Sequence, residues 1–173
     1  MYAHDTDFRL LVAAATRAPS GHNSQPWRFR PTAGGITILP DDSRALPAVD
    51  GGNREGFISL GCALENLCLY ATTLHYAATA TLDADGSIAV QLRRDDAIRP
   101  DPLAACIPHR QTNRTTGDGR TVAADSLQTL LGEATAATPV HAFARDTAAY
   151  RLLADAVRRG NEVQMRDRAF KRE

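Results

Sequence analysis

Two short stretches hold the side chains best suited to chemistry. The first is "APSGHNSQPWRF", Ala18 to Phe29, which gathers Ser20, Gly21, His22, Asn23, Ser24 and Gln25 ahead of Pro26 and Trp27. A turn uses Gly, Pro and Asn for their backbone preferences, but it needs fewer outward donors and acceptors than this. Small residues let a ligand come close to main-chain N–H groups, and the amides of Asn23 and Gln25 each offer a donor and an acceptor. A planar heteroaromatic ligand with alternating carbonyl and N–H edges would suit such a loop. So would a purely structural turn, closed by its own Ser and Asn bonds around a core tryptophan.

The second stretch is "HRQTNR", His109 to Arg114, in which Arg110 and Arg114 bracket Thr112. Two guanidinium forks and a hydroxyl at this spacing can converge on a phosphate, through charge-assisted bonds roughly twice as strong as neutral ones. The alternative is a solvated basic loop whose arginines pair with Asp95, Asp96 or Asp118, an arrangement worth little. Other reactive side chains are dispersed. His4, His75, His109 and His141 lack metal-ligand spacing, and Cys62, Cys68 and Cys106 form no CxxC pair. No catalytic nucleophile, acid or metal ligand is assigned. His22 is expected to be scaffold, and Arg44, Arg54 and Glu55 to be structural ion pairs.

The elements that must position these stretches follow from periodicity. Asp5 or Thr6 can cap a helix through "FRLLVAAATRA", stopped by Pro19. Residues 27–30 and 36–39 read as short strands around "PTAGG". The strongest pattern is Phe57, Leu60, Leu64, Leu67, Ala71 and Leu74, one stripe of a long helix, with Ile58, Cys62 and Leu69 adding apolar surface elsewhere. Such a helix is expected to be enclosed on more than one side, with Cys62 and Cys68 as buried thiols. "YAATATLDADGSIAVQL" reads as a hairpin. "RRDDAIRPDPLAACIPHR" leads through a proline-marked loop and a short helix into "HRQTNR", followed by a helix over 126–134, a strand at "PVHAFA", and a long charged helix from Thr147 to about Phe170. Without regular βαβ alternation, the order implies an α+β fold.

The 173 residues carry 20 basic and 20 acidic side chains. That balance gives no field that would draw the chain to nucleic acid or an anionic membrane. No basic leader with an apolar core is visible at the start, and no apolar run reaches the ~20 residues of a membrane span. A cytoplasmic protein with reduced thiols is expected. The chain ends within a helical pattern, as would a fragment or a short chain needing a partner.

"APSGHNSQPWRF" followed by "DDSRALPAVDGGNREGFISLGCALENL" resembles the nitroreductase superfamily of flavin enzymes, most closely its mycobacterial Acg-type branch. The shared pattern is PSxxNxQPW, with "RE..ISLGCALENL" behind it. The resemblance implies a nitroreductase-like α+β fold, a mixed sheet flanked by helices with a long central apolar helix. It implies FMN bound non-covalently at a dimer or fused-dimer core, with Ser20, Gly21, His22, Asn23 and Gln25 against the ring or ribityl chain. "HRQTNR" resembles the family's RRSxR phosphate motif, giving Arg110, Thr112 and Arg114 the FMN phosphate, although "TTGD" stands where the family has an aromatic residue. Residues 1–108 would then be a first nitroreductase-like repeat and 109–173 the start of a truncated second one. The implied activity passes electrons from NAD(P)H through flavin to a small-molecule acceptor such as a nitroaromatic or quinone. A flavin-sequestering protein without turnover, or a half lacking flavin, are the alternatives.

Overall fold

The computed structural model of the chain describes residues 5–115, 117–132 and 138–173. It divides into two compact units, Met1–Thr112 and Asn113–Glu173.

In the first unit, helix α1 spans Asp5–Ala15 and buries Leu11, Ala14 and Ala15. It stops before Pro19 because its last turn tightens: Arg17 N–H bonds the Ala14 carbonyl (3.1 Å) and Ala18 N–H the Ala15 carbonyl (3.0 Å). The expected cap at Asp5 or Thr6 falls at the edge of the described residues. After the polar loop come strands β1 (Trp27–Thr32) and β2 (Gly35–Pro40), paired antiparallel from Trp27↔Pro40 to Thr32↔Gly35. They run longer than residues 27–30 and 36–39, because backbone pairing carries on through Pro31. A proline is tolerated there because β1 is an edge strand.

Helix α2 (Arg54–Thr73) is the long apolar helix. Its buried line is Leu60, Ala63, Leu67 and Ala71, with Ser59 beside it. The expected stripe therefore splits. Leu60, Leu67 and Ala71 face the core, Leu64 and Leu74 pack at its margin, and Phe57 is 47% exposed. Ile58 is 50% exposed, so within this unit the helix is covered on one side. Strands β3 (Tyr76–Leu82) and β4 (Ile88–Arg94) form the expected hairpin, in register from Tyr76↔Arg94 to Leu82↔Ile88. The sheet order is β1-β2-β4-β3, antiparallel throughout rather than the mixed sheet that the resemblance implies, because β1–β2 and β3–β4 are hairpins whose short turns reverse the chain. Ile36, Ile38, Ile88 and Val90 meet Trp27, Leu11 and the buried line of α2 in one core. Fully burying such a side chain contributes about 1.5–3 kcal/mol. Gly35 is required where β2 meets β4: a Cβ there would stand 1.9 Å from the Val90 carbonyl oxygen.

A run of 3₁₀ turns, Pro102–His109, packs Ala104 and Ile107 inward near α2. Cys62 and Cys68 are half-buried and Cys106 is exposed. Burial, then the charge of Glu65, pushes the Cys68 thiol up to about 11.

The second unit holds helices α3 (Ala124–Gly132) and α4 (Ala148–Gln164). Thr147 caps α4 by accepting from Tyr150 N–H at 3.2 Å. The helix ends at Gln164 instead of near Phe170. The expected strand at "PVHAFA" is absent: residues 139–144 have no regular structure. Alternating apolar residues do not make a strand without a ladder partner for the backbone, and the described residues of this unit contain no other strand. Residues 133 and 134 of the expected helix over 126–134 lie outside the described residues. Neither helix buries a residue.

Candidate functional site

The polar loop between α1 and β1 is backbone-strained. His22 (φ 49°), Asn23 (φ 57°) and Gln25 (φ 52°) all adopt the left-handed region. Among the described residues only two other non-glycines do so, Asn53 and His75. Non-glycine residues reach this region at a cost of about 1–3 kcal/mol each, and such strain persists where surrounding contacts over-determine it. The contacts here are explicit. Ser20 Oγ accepts from Gln25 N–H (2.9 Å), and Ser24 N–H bonds the Gly21 carbonyl (2.9 Å). Trp27 N–H closes a three-residue turn on the Gln25 carbonyl (2.9 Å). Trp27 itself is 6% exposed and anchors the loop's end in the core.

The loop has two faces. On the inner one, Gly21, Ser24 and Pro26 join residues 40–46 and the start of α2 around a cavity of ≈ 150 Å³. Leu46, Phe57 and Leu60 give it apolar wall, while Asp41, Asp50, Glu55 and Asp85 line it with acid. A side-chain bond from Ser43 holds the Asp41 carboxyl below its ordinary range, and Ser87 does the same for Asp85, so both are ionised at neutral pH. Asp50 Oδ2 accepts Gly56 N–H (2.9 Å) in the first turn of α2. On the outer face His22 and Asn23 are exposed and Gln25 is half-buried.

The site residues separate accordingly. Gly21 lines the cavity. Ser20 is the loop's internal tie, and His22 and Asn23 face outward. Arg110 and Thr112 come together in the first unit: Arg110 Nη1 donates to Thr112 Oγ1 (3.2 Å) and Nη2 to the Arg17 carbonyl (3.0 Å). The guanidinium thus caps the end of α1, the element that leads into the loop, with further N–H donors left over. Arg114 belongs to the second unit and is exposed. The acids considered as partners for Arg110 and Arg114 pair elsewhere. Asp95 meets Arg93 (3.0 Å), Asp96 meets Arg94 (3.5 Å), and Asp118 meets Arg120 (2.6 Å).

These features decide how FMN would fit. At ≈ 150 Å³ the cavity is below the ~300–1,000 Å³ of pockets that enclose ligands of this size. Its ionised acids would also repel a phosphate. The outer face suits a flat ring edge, and the Arg110–Thr112 pair suits an anion. The residues fit the group in those two places, and the cavity does not.

Sequence reasoning missed Ser59, which is 3% exposed on the α2 face turned toward the loop. A serine four residues before Ala63 on an otherwise apolar line was the available signal. Arg44 was expected to be an ion pair and is one, at 3.7 Å from Asp41, but its Nη1 also donates to the Ser24 carbonyl (3.3 Å).

No family model matches the sequence. An uncharacterized protein of Mycobacterium tuberculosis is 38% identical over 74 residues, 40% of this chain and 22% of that protein. A protein of the same organism named "Putative NAD(P)H nitroreductase" is 32% identical over 117 residues, 61% of this chain and 33% of that protein. This partial match, to a protein so named, supports the nitroreductase family. A third, "Putative NAD(P)H nitroreductase acg", is 40% identical over 58 residues, 34% of this chain and 18% of its own. The chain therefore spans about a fifth to a third of the length of the curated relatives it matches. Among the described residues no helix is long and apolar enough to cross a membrane, and no group of three His, Cys, Asp or Glu could hold a metal ion.

Proposed function

We propose that the chain is part of an FMN-dependent oxidoreductase of nitroreductase type, its strained polar loop meeting the flavin ring. The observation that carries this reading is the run of left-handed, non-glycine residues at 22, 23 and 25, on an exposed loop held from below. Strain maintained in that way is a mark of ligand sites. The similarity to proteins named NAD(P)H nitroreductase supports the choice of ligand.

When bound, FMN would supply the redox chemistry, taking hydride from NAD(P)H and passing electrons to a nitroaromatic, quinone or similar acceptor. The residues of the chain bind and orient. Asn23 would offer its amide to the polar edge of the ring, with Gln25 and His22 beside it in the loop. Gly21 and Ser20 shape the loop from within. Arg110 and Thr112 are the phosphate partners in the first unit, and Arg114 is the third member of the motif by sequence. Residues 1–108 read as one nitroreductase-like repeat and 109–173 as the start of a second.

Titration of the purified chain with FMN and with riboflavin, followed by absorbance, tests the reading. Bound flavin that bleaches anaerobically with NADPH and recovers with a nitroaromatic is the expected result. Bound flavin that never bleaches would make the chain a sequestering protein. No binding of either flavin would refute the assignment. Arg110→Ala should weaken FMN about tenfold, the worth of one charge-assisted contact, and leave riboflavin nearly unchanged. Equal loss of both would remove the phosphate role.

A further inference from the structure

We propose that Ser59 and Arg44 are positioning residues that hold the loop's left-handed residues in place before any ligand arrives. The proposal rests on the reading above for what the loop meets, but its geometry stands independently.

Ser59 is 3% exposed, and its Oγ donates to the Glu55 carbonyl at 2.7 Å. With that proton committed, the oxygen can only accept, and Gly21 N–H lies 3.4 Å away, at the long end of hydrogen bonding. Gly21 is also seated sterically. A Cβ there would stand 3.0 Å from Glu55 Oε2 and 3.6 Å from Leu46 Cδ1. The residue just before the strained segment is thus held against the first turns of α2. At the other end, Arg44 Nη1 donates to the Ser24 carbonyl (3.3 Å), and Asp41 N–H donates to the Pro26 carbonyl (3.1 Å). Asp41 anchors that side: it accepts from Ser43 Oγ (2.7 Å) and faces Arg44. His22 and Asn23 sit between these two clamps, and Gln25 lies beside the second. Left-handed residues relax unless their flanks are fixed, and here the flanks are fixed by α2 on one side and the 40–46 segment on the other. A loop fixed this way does not lose conformational freedom when it binds a rigid planar ligand.

Amide hydrogen exchange of the flavin-free chain reads the positioning directly. Ser59→Ala and, separately, Arg44→Ala are expected to speed exchange at residues 20–27 about 3- to 10-fold, the worth of one hydrogen bond. Core amides such as those of Leu11, Ile38 and Leu67 should keep wild-type protection. Ser59→Thr, which retains the hydroxyl, should restore the loop. Unchanged loop exchange in both Ala variants overturns the proposal. Uniform acceleration throughout the first unit in Ser59→Ala overturns the role of Ser59, and Arg44→Ala, altered at an exposed side chain, then decides the remainder. Flavin titration separates this idea from the functional one. The Ala variants should weaken riboflavin and FMN alike, about 3- to 10-fold, because the clamps act on the ring loop. A wild-type chain that binds neither flavin refutes the functional reading and leaves the exchange result standing.

Discussion

Helices α2 and α4 both carry an apolar stripe, yet α2 buries Ser59, Leu60, Ala63, Leu67 and Ala71 while α4 buries nothing. In α4, Leu152 is 69% exposed and Val157 56%. Patterning along a helix says which face seeks cover, but not what covers it. For α2 the cover is α1 and a four-stranded sheet, in the same unit. Among the described residues of the second unit there is no sheet, and α4 is held by local bonds. Arg158 reaches both Asp155 (2.6 Å) and Glu162 (2.5 Å), and Arg159 reaches Asp155 (3.3 Å). Such exposed pairs contribute little to stability, because water and salt screen them.

The sharpest way to break this contrast is a pair of truncations. Leu67→Ala should cost about 2–5 kcal/mol in chemical denaturation, because Leu67 is wholly buried. Leu153→Ala in α4 should stay within about 0.5 kcal/mol. Similar costs at the two sites would mean that the units cohere equally well. Limited trypsin digestion should give the next largest signal. Cleavage after arginines of the second unit is expected well before cleavage after Arg28, which sits in a paired strand; mass spectrometry of early fragments showing the reverse order would contradict the difference.

Thiol labelling sharpens the comparison inside the first unit. Cys106 should react first with iodoacetamide and Cys68 last. Burial raises the Cys68 pKa from 9.0 to about 11, so the folded protein keeps its proton where the unfolded chain would lose it. The stability tied to that proton is fully present below pH 9 and is lost as pH rises towards 11. Labelling of Cys68 at pH 8 as fast as Cys106 would show that α2 is not packed as described. A modest effect is expected at the α4 cap, where Thr147→Ala should cost about 1 kcal/mol of helix stability by circular dichroism.

Much of this was legible in the sequence. The long helix, both hairpins and the buried Trp27 follow from periodicity and turn residues, since those signals are local. The rotation of α2 was not, because Phe57 and Leu64 are as apolar as Leu60 and Leu67, and only packing chooses Ala63 over Leu64 for the inner line. The strand expected at "PVHAFA" failed for the same reason, since a strand exists only with a partner. At the candidate site, the residue types in "SGHNSQ" pointed to a polar loop. Nothing in a glutamine announces a positive φ, and the clamps at Ser59 and Arg44 lie 38 and 20 residues away along the chain from the backbone they hold.

Gly34 and Gly35 would fare very differently in a saturation library selected for folded protein. At codon 34 an added methyl group meets only the tip of the Gln91 side chain, which can swing away, so many replacements should survive. At codon 35 the obstacle is the neighbouring strand's own main chain, and glycine alone should be recovered.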